Sequence, residues 1–243
     1  ATDEDLGGAE MHAEVAGTAE YMAENDADGI RQAREIMDML QWDLANRPEP
    51  GADIKPPRHD AEELLGVVPE DPKKPYDVRE VIARIADDSE FLDFKNDWDS
   101  ATVCGWIKLQ GHPVGVIGNN GPITPQGAAK TAQFIQLCDQ SDRPLLFLHN
   151  TTGFMVGTDA EQNGVIKHGS KMIQAVANAR VPRISIVIGG SYGAGNYAMC
   201  GRGLDPEFIF AWPNSRTAVM GGEQAGKVMR IVAEEKQRAQ GME

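Results

Sequence analysis

The spacing of hydrophobic positions changes along the chain, and the changes divide it. Between residues 25 and 46, Ile30, Ala33, Ile36, Met37, Leu40 and Leu44 recur at helical spacing behind the candidate caps Asn25 and Asp26, so an amphipathic helix is expected. Residues 1–23, Gly-containing and Ala-rich, read as a turn followed by helix. The stretch 47–75 then holds seven prolines and reads as a linker with one short helical turn at residues 61–65. From Tyr76 the pattern alters again. Asp77 is read as the cap of a helix, VREVIARIAD, and residues 102–109 and 112–118 read as two strands joined at Gln110-Gly111 into a hairpin. A long helix is expected over 125–139 and a continuously apolar strand over 144–150. A helix over 160–179, a strand over 183–190, a Gly-rich loop into a short helix over 191–200 and a strand over 207–213 follow. Continuous apolarity implies strands covered on both faces, so this unit is read as α/β with a parallel sheet and crossover connections. A further helix-like run closes the chain over 222–240.

Charge sharpens the division. The 243 residues carry 37 acidic and 23 basic side chains, a net charge of −14. Residues 1–99 hold 27 acids and 10 bases, a net of −17, whereas residues 100–243 hold 10 acids and 13 bases, a net of +3. This balance excludes nucleic-acid binding through bulk electrostatics and weakens any role on an anionic membrane surface. No apolar run approaches the roughly 20 residues that span a bilayer. The three cysteines, Cys104, Cys138 and Cys200, are odd in number and far apart, which points to a reducing compartment and gives no zinc-type spacing, so no metal is expected. The chain opens without an initiator Met and stops inside a helical run, which reads either as a fragment of a longer polypeptide or as a trimmed chain.

Candidate chemistry sits in two loops, each at the carboxyl end of a buried strand, where open α/β sheets bind ligands. One is Thr151-Thr152-Gly153-Phe154-Met155-Val156-Gly157; the other is Gly189-Gly190-Ser191-Tyr192-Gly193-Ala194-Gly195-Asn196. Small residues leave backbone N–H groups free to converge on one oxygen, and a helix beginning near Ala194 and Gly195 adds positive potential. That is the construction of an oxyanion hole. The plainer reading is that the glycines only permit tight turns. The dinucleotide GxGxxG spacing, the Walker GxxxxGK[ST] loop and the GxSxG elbow are all missing. His149, ending a core strand, and His168, on the next helix, are candidates for a general base or for packed structural histidines. Lys167 and Lys171 share a helix face, and with Lys130 and Arg202 they are candidates for binding phosphates, or are solvated surface charges.

Taken together, three segments resemble the carboxyltransferase (β) subunit of biotin-dependent acyl-CoA carboxylases. They are YDVREVIARI (76–85), FIQLCDQSDRPLLFLHNTTGFMVG (134–157) and KHGSKMIQAVANARVPRISIVIGGSYGAGNYAMCGR (167–202), with AWPNSRTAVMGGEQAG (211–226) extending the match. GSYGAGNYAMCGR and WPNSRTAVMGGEQA are similar to the methylcrotonyl-CoA and geranyl-CoA branch, and Asn119-Asn120-Gly121-Pro122-Ile123-Thr124-Pro125-Gln126-Gly127 favours geranyl-CoA carboxylase.

The resemblance implies an α/β crotonase-like (ClpP/crotonase) ββα superhelix. Residues 1–46 would end an N-terminal carboxyltransferase domain, 47–75 would be the Pro-rich linker, and 76–243 an incomplete C-terminal domain. The implied reaction moves CO2 from carboxybiotin, carried on a partner α subunit with biotin carboxylase and carrier functions, to the γ carbon of a 3-methyl-enoyl-CoA such as geranyl-CoA. The backbone N–H groups of Ala194 and Gly195 would be the catalytic donors to the biotin ureido oxygen. Gly153, Phe154, Tyr192 and Gly193 would bind the cofactor, and no side-chain base is required. Gly195→Val is then expected to abolish transfer while the chain stays folded. The same resemblance implies a homo-oligomer of β subunits, a hexamer in the family, in the bacterial cytoplasm or mitochondrial matrix. The rivals are a methylcrotonyl-CoA carboxylase β subunit, a biotin-dependent decarboxylase subunit and a fragment acting only as an assembly module.

Overall fold

The computed structural model describes residues 1–40, 54–69, 71 and 74–239. In chain order the elements are α1 (Asp3–Gly7), a π-helical turn (Met11–Val15), α2 (Asp26–Leu40), a 3-10 turn (Ala61–Glu63) leading into α3 (Leu64–Val67), α4 (Arg79–Ile85), β1 (Leu92–Asp93), β2 (Thr102–Leu109), β3 (His112–Asn119) and α5 (Pro125–Gln140). Then come β4 (Leu145–Thr151), α6 (Thr158–Gln162), α7 (Val165–Asn178), β5 (Arg183–Tyr192), α8 (Gly193–Ala198), β6 (Phe208–Ala211), β7 (Arg216–Ala218) and α9 (Gly222–Ala239).

A seven-stranded sheet in the order β1-β2-β3-β4-β5-β6 forms the centre, with β7 paired to β5 off this path. The β1–β2–β3 part is antiparallel, and every pairing from β3 onward is parallel. The β2–β3 hairpin forms at the expected turn. Asp87 braces it from outside by accepting the N–H groups of Gln110 and Gly111 at 3.0 and 2.6 Å.

Alternation along the strands explains the continuous apolar runs. Leu145 and Phe147 of β4 face a core built with Phe134 of α5 and Met172 of α7. Leu146 and Leu148 face the opposite side, where Val78 and α4 residues Val81 and Ile82 cover the sheet with Val116 and Ile188. Both faces are therefore buried, as a parallel sheet with crossover helices requires.

Local signals locate the ends of elements. Thr124 caps α5 by accepting the Gly127 N–H at 2.8 Å, and Pro125 occupies the first helical turn, where its missing donor costs nothing. The single helix expected over 160–179 is instead two, α6 and α7, because Gly164 takes a left-handed conformation (φ 76°) between them. The expected strand 207–213 shortens to β6, while β1 and β7 are too short for periodicity to reveal. Near the start, the expected turn and helix are α1 and the π-helical turn, followed by irregular chain. Residues 41–46 of the expected 25–46 helix and residues 47–53, 70, 72 and 73 of the expected 47–75 linker lie outside the described residues. The described part of 61–65 does hold the short helical turn.

The N-terminal segment is docked on the sheet-bearing unit. Glu20 accepts from Gln133 of α5 at 2.9 Å, and the buried Lys95 ammonium bonds the Gly17 carbonyl with Glu20 3.5 Å away.

Candidate functional site

The site forms where β4 and β5 lose register. Their pairing runs from Leu145–Arg183 to His149–Val187 and then shifts so that Thr151 pairs with Ser191. Such an irregularity re-aims the chain at a strand end. The two Gly-rich loops leave the sheet at this point and come together. A Cβ built on Gly195 would lie 2.8 Å from the Cα of Gly153 and 3.3 Å from Cγ2 of Thr151, so only glycine admits this approach. Gly153 (φ 115°) is tied back by Thr151, whose Oγ1 accepts the Gly153 N–H at 3.2 Å.

Tyr192 precedes α8, and Gly193, with φ 55°, opens it. The N–H groups of Gly193, Ala194 and Gly195 occupy the first turn, where a helix has no acceptor of its own to offer. Ala194 is exposed, whereas Gly195 is buried against the first loop. Phe154 lies differently. It is partly buried against the α5–α7 core, its ring close over Gly169, and the parallel bridge Ile123–Phe154 holds its backbone.

Beside the loops opens a cleft of about 520 Å³. Asn120, Asn150, Tyr192, Gly190 and Arg216 line it, with Lys74 arriving from the chain before α4. Asn150 braces this wall by accepting the Gly190 N–H at 3.3 Å and donating its own N–H to Oδ1 of Asn119 at 3.2 Å. Of the expected site residues Tyr192 lines the cleft, Gly153 and Gly195 stand behind it against Tyr192 and Thr151, and Phe154, Gly193 and Ala194 are not among its lining residues. Lys74, Asn150 and Arg216 are the members that sequence reasoning missed. β7, which carries Arg216, gives no periodic signal in three residues.

The titratable candidates divide by burial. His149 is wholly buried, with Nδ1 2.9 Å from Oγ of Ser191, which in turn accepts from Nδ2 of Asn196 at 2.8 Å. Which of His149 and Ser191 donates to the other is set by the imidazole tautomer. Burial lowers the His149 pKa to about 4. A neutral histidine sealed in this way is placed as a packed brace between β4 and β5. Lys130 is not a phosphate ligand. Its ammonium is buried and donates to the Trp98 and Asp99 carbonyls, each at 3.1 Å. Lys167, Lys171 and Arg202 are exposed, and the two lysines, after burial, help lower the pKa of half-buried His168. All three thiols are buried, and burial raises Cys104 to about 12 and Cys200 to about 11. Among the described residues no cluster of His, Cys, Asp and Glu could hold a metal ion, and no helix is long and apolar enough to cross a membrane.

The whole chain, residues 1–243, matches the family model described as the carboxyl transferase domain. The chain belongs to that family. It is 52% identical, over 99% of its length and 45% of the relative's, to a probable biotin-dependent acyl-coenzyme A carboxylase beta2 subunit of Mycobacterium tuberculosis. It is 47% identical, over 99% of its length and 44% of the relative's, to a probable mitochondrial methylcrotonoyl-CoA carboxylase beta chain of Drosophila melanogaster. Among solved structures, the beta subunit of P. aeruginosa geranyl-CoA carboxylase is 75% identical, with TM-score 0.74, covering 97% of this chain and 45% of that one. The transcarboxylase 12S structure with hydrolysed methylmalonyl-coenzyme A is 34% identical, with TM-score 0.87, covering 98% of this chain and 50% of that one. This carboxyl transferase chain therefore has the crotonase-like α/β fold that its sequence implied. It spans about half the length of the curated relatives it matches.

Proposed function

We propose that this chain forms the biotin-side half of the active site in a biotin-dependent acyl-CoA carboxylase β subunit, with geranyl-CoA as acceptor. The observation that carries the acceptor is the 75% identity to the P. aeruginosa geranyl-CoA carboxylase beta subunit over 97% of the chain. Methylcrotonyl-CoA is the second reading, favoured by the 47% identity to the Drosophila chain. In this proposal residues 1–46 end one carboxyltransferase domain, 47–75 link it to the next, and 76–243 belong to the second. The partners are an α subunit bearing biotin and further copies of the β subunit, in the bacterial cytoplasm or the mitochondrial matrix.

The residues present suit a biotin head group. A ureido oxygen needs two or more convergent donors, and the first turn of α8 offers those of Ala194 and Gly195 near a cleft lined by Asn150, Tyr192 and Gly190 together with Lys74 and Arg216. A cleft of several hundred Å³ is of ligand size. When bound, carboxybiotin supplies the CO2 unit together with a ureido group able to take up the acceptor's proton. The chain's own contribution is placement. Gly153 and Gly195 lock the loops together, so the donors stay fixed while negative charge grows on the oxygen they face. Phe154, packed behind the loop, holds Gly153 in line through its bridge to Ile123.

The test uses the β subunit that contains this chain, assembled with its biotin-bearing partner. ATP-dependent fixation of labelled bicarbonate is measured with geranyl-CoA and with 3-methylcrotonyl-CoA. A higher kcat/KM for geranyl-CoA is the expected result. A preference for 3-methylcrotonyl-CoA replaces it with the second reading, and no fixation with either overturns both.

A further inference from the structure

Two cations meet in the cleft from distant parts of the chain. Arg216 stands on β7, which pairs with β5 so that Gly190 and Arg216 are register partners. Lys74 comes from the stretch before α4, 142 residues earlier (216 − 74). Both line the cleft at the ends of β4 and β5 and also its narrower continuation beside Tyr76 and Asn214. Several basic side chains elsewhere in the fold are engaged, although Lys167, Lys171 and Arg202 are exposed and without an ion pair among the described residues. Arg79 pairs with Asp93, Arg84 with Glu63 and Glu80, and Arg180 with Asp139. Arg216 and Lys74 have no ion-pair partner among the described residues. The described residues lining the larger cleft include no carboxylate, while Asp71 lines the narrower continuation, and the amides of Asn150 and Gln224 add polar groups to the larger one. With two cations and, in its narrower continuation, one carboxylate, the cleft keeps an excess of positive charge that is matched to an anion.

Backbone donors at Ala194 and Gly195 suit a carbonyl oxygen, which carries only partial charge until it reacts. They leave unanswered the carboxylate itself, which is anionic on the donor before transfer and again on the product afterwards. We propose that Arg216, supported by Lys74, is a carboxylate-recognising subsite of this cleft. It holds the transferred group either on the donor, before transfer, or on the carboxylated thioester afterwards. This rests on the reading of the chain as a carboxyltransferase. A guanidinium presents two parallel N–H donors to a carboxylate, a geometry a lysine cannot reproduce. Arg216 therefore sets alignment, and Lys74 adds charge.

The test compares carboxylated and uncarboxylated ligands in the assembled subunit. Arg216→Gln and Arg216→Lys are titrated calorimetrically with the γ-carboxylated thioester and with its uncarboxylated parent. In parallel, the KM for the biotin carrier is read in the forward reaction with the carrier charged by ATP and bicarbonate. Arg216→Gln is expected to weaken the carboxylated thioester, or to raise the KM for the charged carrier, by about tenfold, the size of one charge-assisted hydrogen bond. Affinity for the uncarboxylated parent stays within about twofold, and Arg216→Lys recovers part of the loss. A loss seen with the thioester assigns the subsite to the product side, and a loss confined to the charged carrier assigns it to the donor side. Equal weakening of both thioesters with an unchanged carrier KM, or no change anywhere, overturns the subsite while leaving the carboxyltransferase reading intact. Absence of any biotin-dependent transfer in the parent enzyme overturns that reading and the subsite with it.

Discussion

Gly195 and Gly153 are in backbone contact: a Cβ on Gly195 would meet the Cα of Gly153 at 2.8 Å. The contact joins the loop after β4 to the first turn of α8, so the geometry of one proposed oxyanion donor depends on the other loop. It also corrects the expectation that Gly195→Val would abolish transfer and leave the fold untouched. A valine cannot enter without pushing the loops apart. Even Gly195→Ala should lower stability by about 1–3 kcal/mol, the usual range for overpacking. It should lower carboxyl transfer by about 100–1000-fold, as loss of an oxyanion donor does. Denaturant unfolding and bicarbonate fixation on the same variant check both. Full activity in Gly195→Ala would show that Gly195 does not hold the donors in place.

Ser191 sits between His149 and Asn196, at 2.9 and 2.8 Å, and so connects β4 to α8. Ser191→Ala leaves the His149 ring nitrogen and the Asn196 amide without their partner inside the protein. A cost of about 1–3 kcal/mol is expected, because a buried polar group left unpaired bears its full desolvation penalty. The variants His149→Phe, Ser191→Ala and the double change form a thermodynamic cycle. A coupling free energy above about 0.5 kcal/mol is expected for groups in one network. Additive losses would mean that the two side chains act separately.

His149 also gives the fold a pH dependence. Its pKa is about 4 in the folded chain, against an ordinary 6.5. The folded state thus prefers the neutral ring, and the unfolded state takes up a proton first as pH falls. The stability owed to this group is complete above about pH 6.5, declines between 6.5 and 4, and is gone below about 4. The loss over that window is of order 3 kcal/mol at most. Thermal unfolding of the parent and of His149→Phe between pH 7 and 4.5 should show a shallower fall in the variant. Parallel curves would mean that His149 titrates normally in the folded protein.

Much of this architecture is legible in the residues because burial on both faces writes itself as apolar runs. Phe147 and Leu148 point to opposite cores, as the reading of their apolar run as a covered strand implied. The hairpin turn and the Thr124-Pro125 helix start are likewise local signals. Gly164 gives no such warning, since one glycine in a helical pattern can be tolerated or can break it. The site was legible as two loops but not as a cleft. Arg216 and Lys74 converge through tertiary folding, and neither spacing nor periodicity connects positions so far apart. Lys130 failed in the opposite direction. Its place on α5 suggested a charge for ligands, and only packing shows that Trp98 and Asp99 consume it.

That reassignment of Lys130 has its own consequence. Its ammonium is buried, burial lowers its pKa, and its donors go to two backbone carbonyls in the loop ahead of β2. The same loop holds Asp99, whose carboxylate accepts from Thr124 and from the Thr102 N–H, so Lys130 ties the start of β2 to α5. Lys130→Met keeps the length of the stem but leaves two carbonyls short of a donor. It should cost about 1–3 kcal/mol per buried group left unsatisfied. The KM for acyl-CoA should be unchanged in the fraction that remains folded, because the side chain never reaches solvent. Unfolding midpoints and acyl-CoA saturation curves are measured on the assembled enzyme. A raised KM with unaltered stability would return Lys130 to the list of phosphate ligands. Lower stability with an unchanged KM is what an internal strut between helix and strand demands.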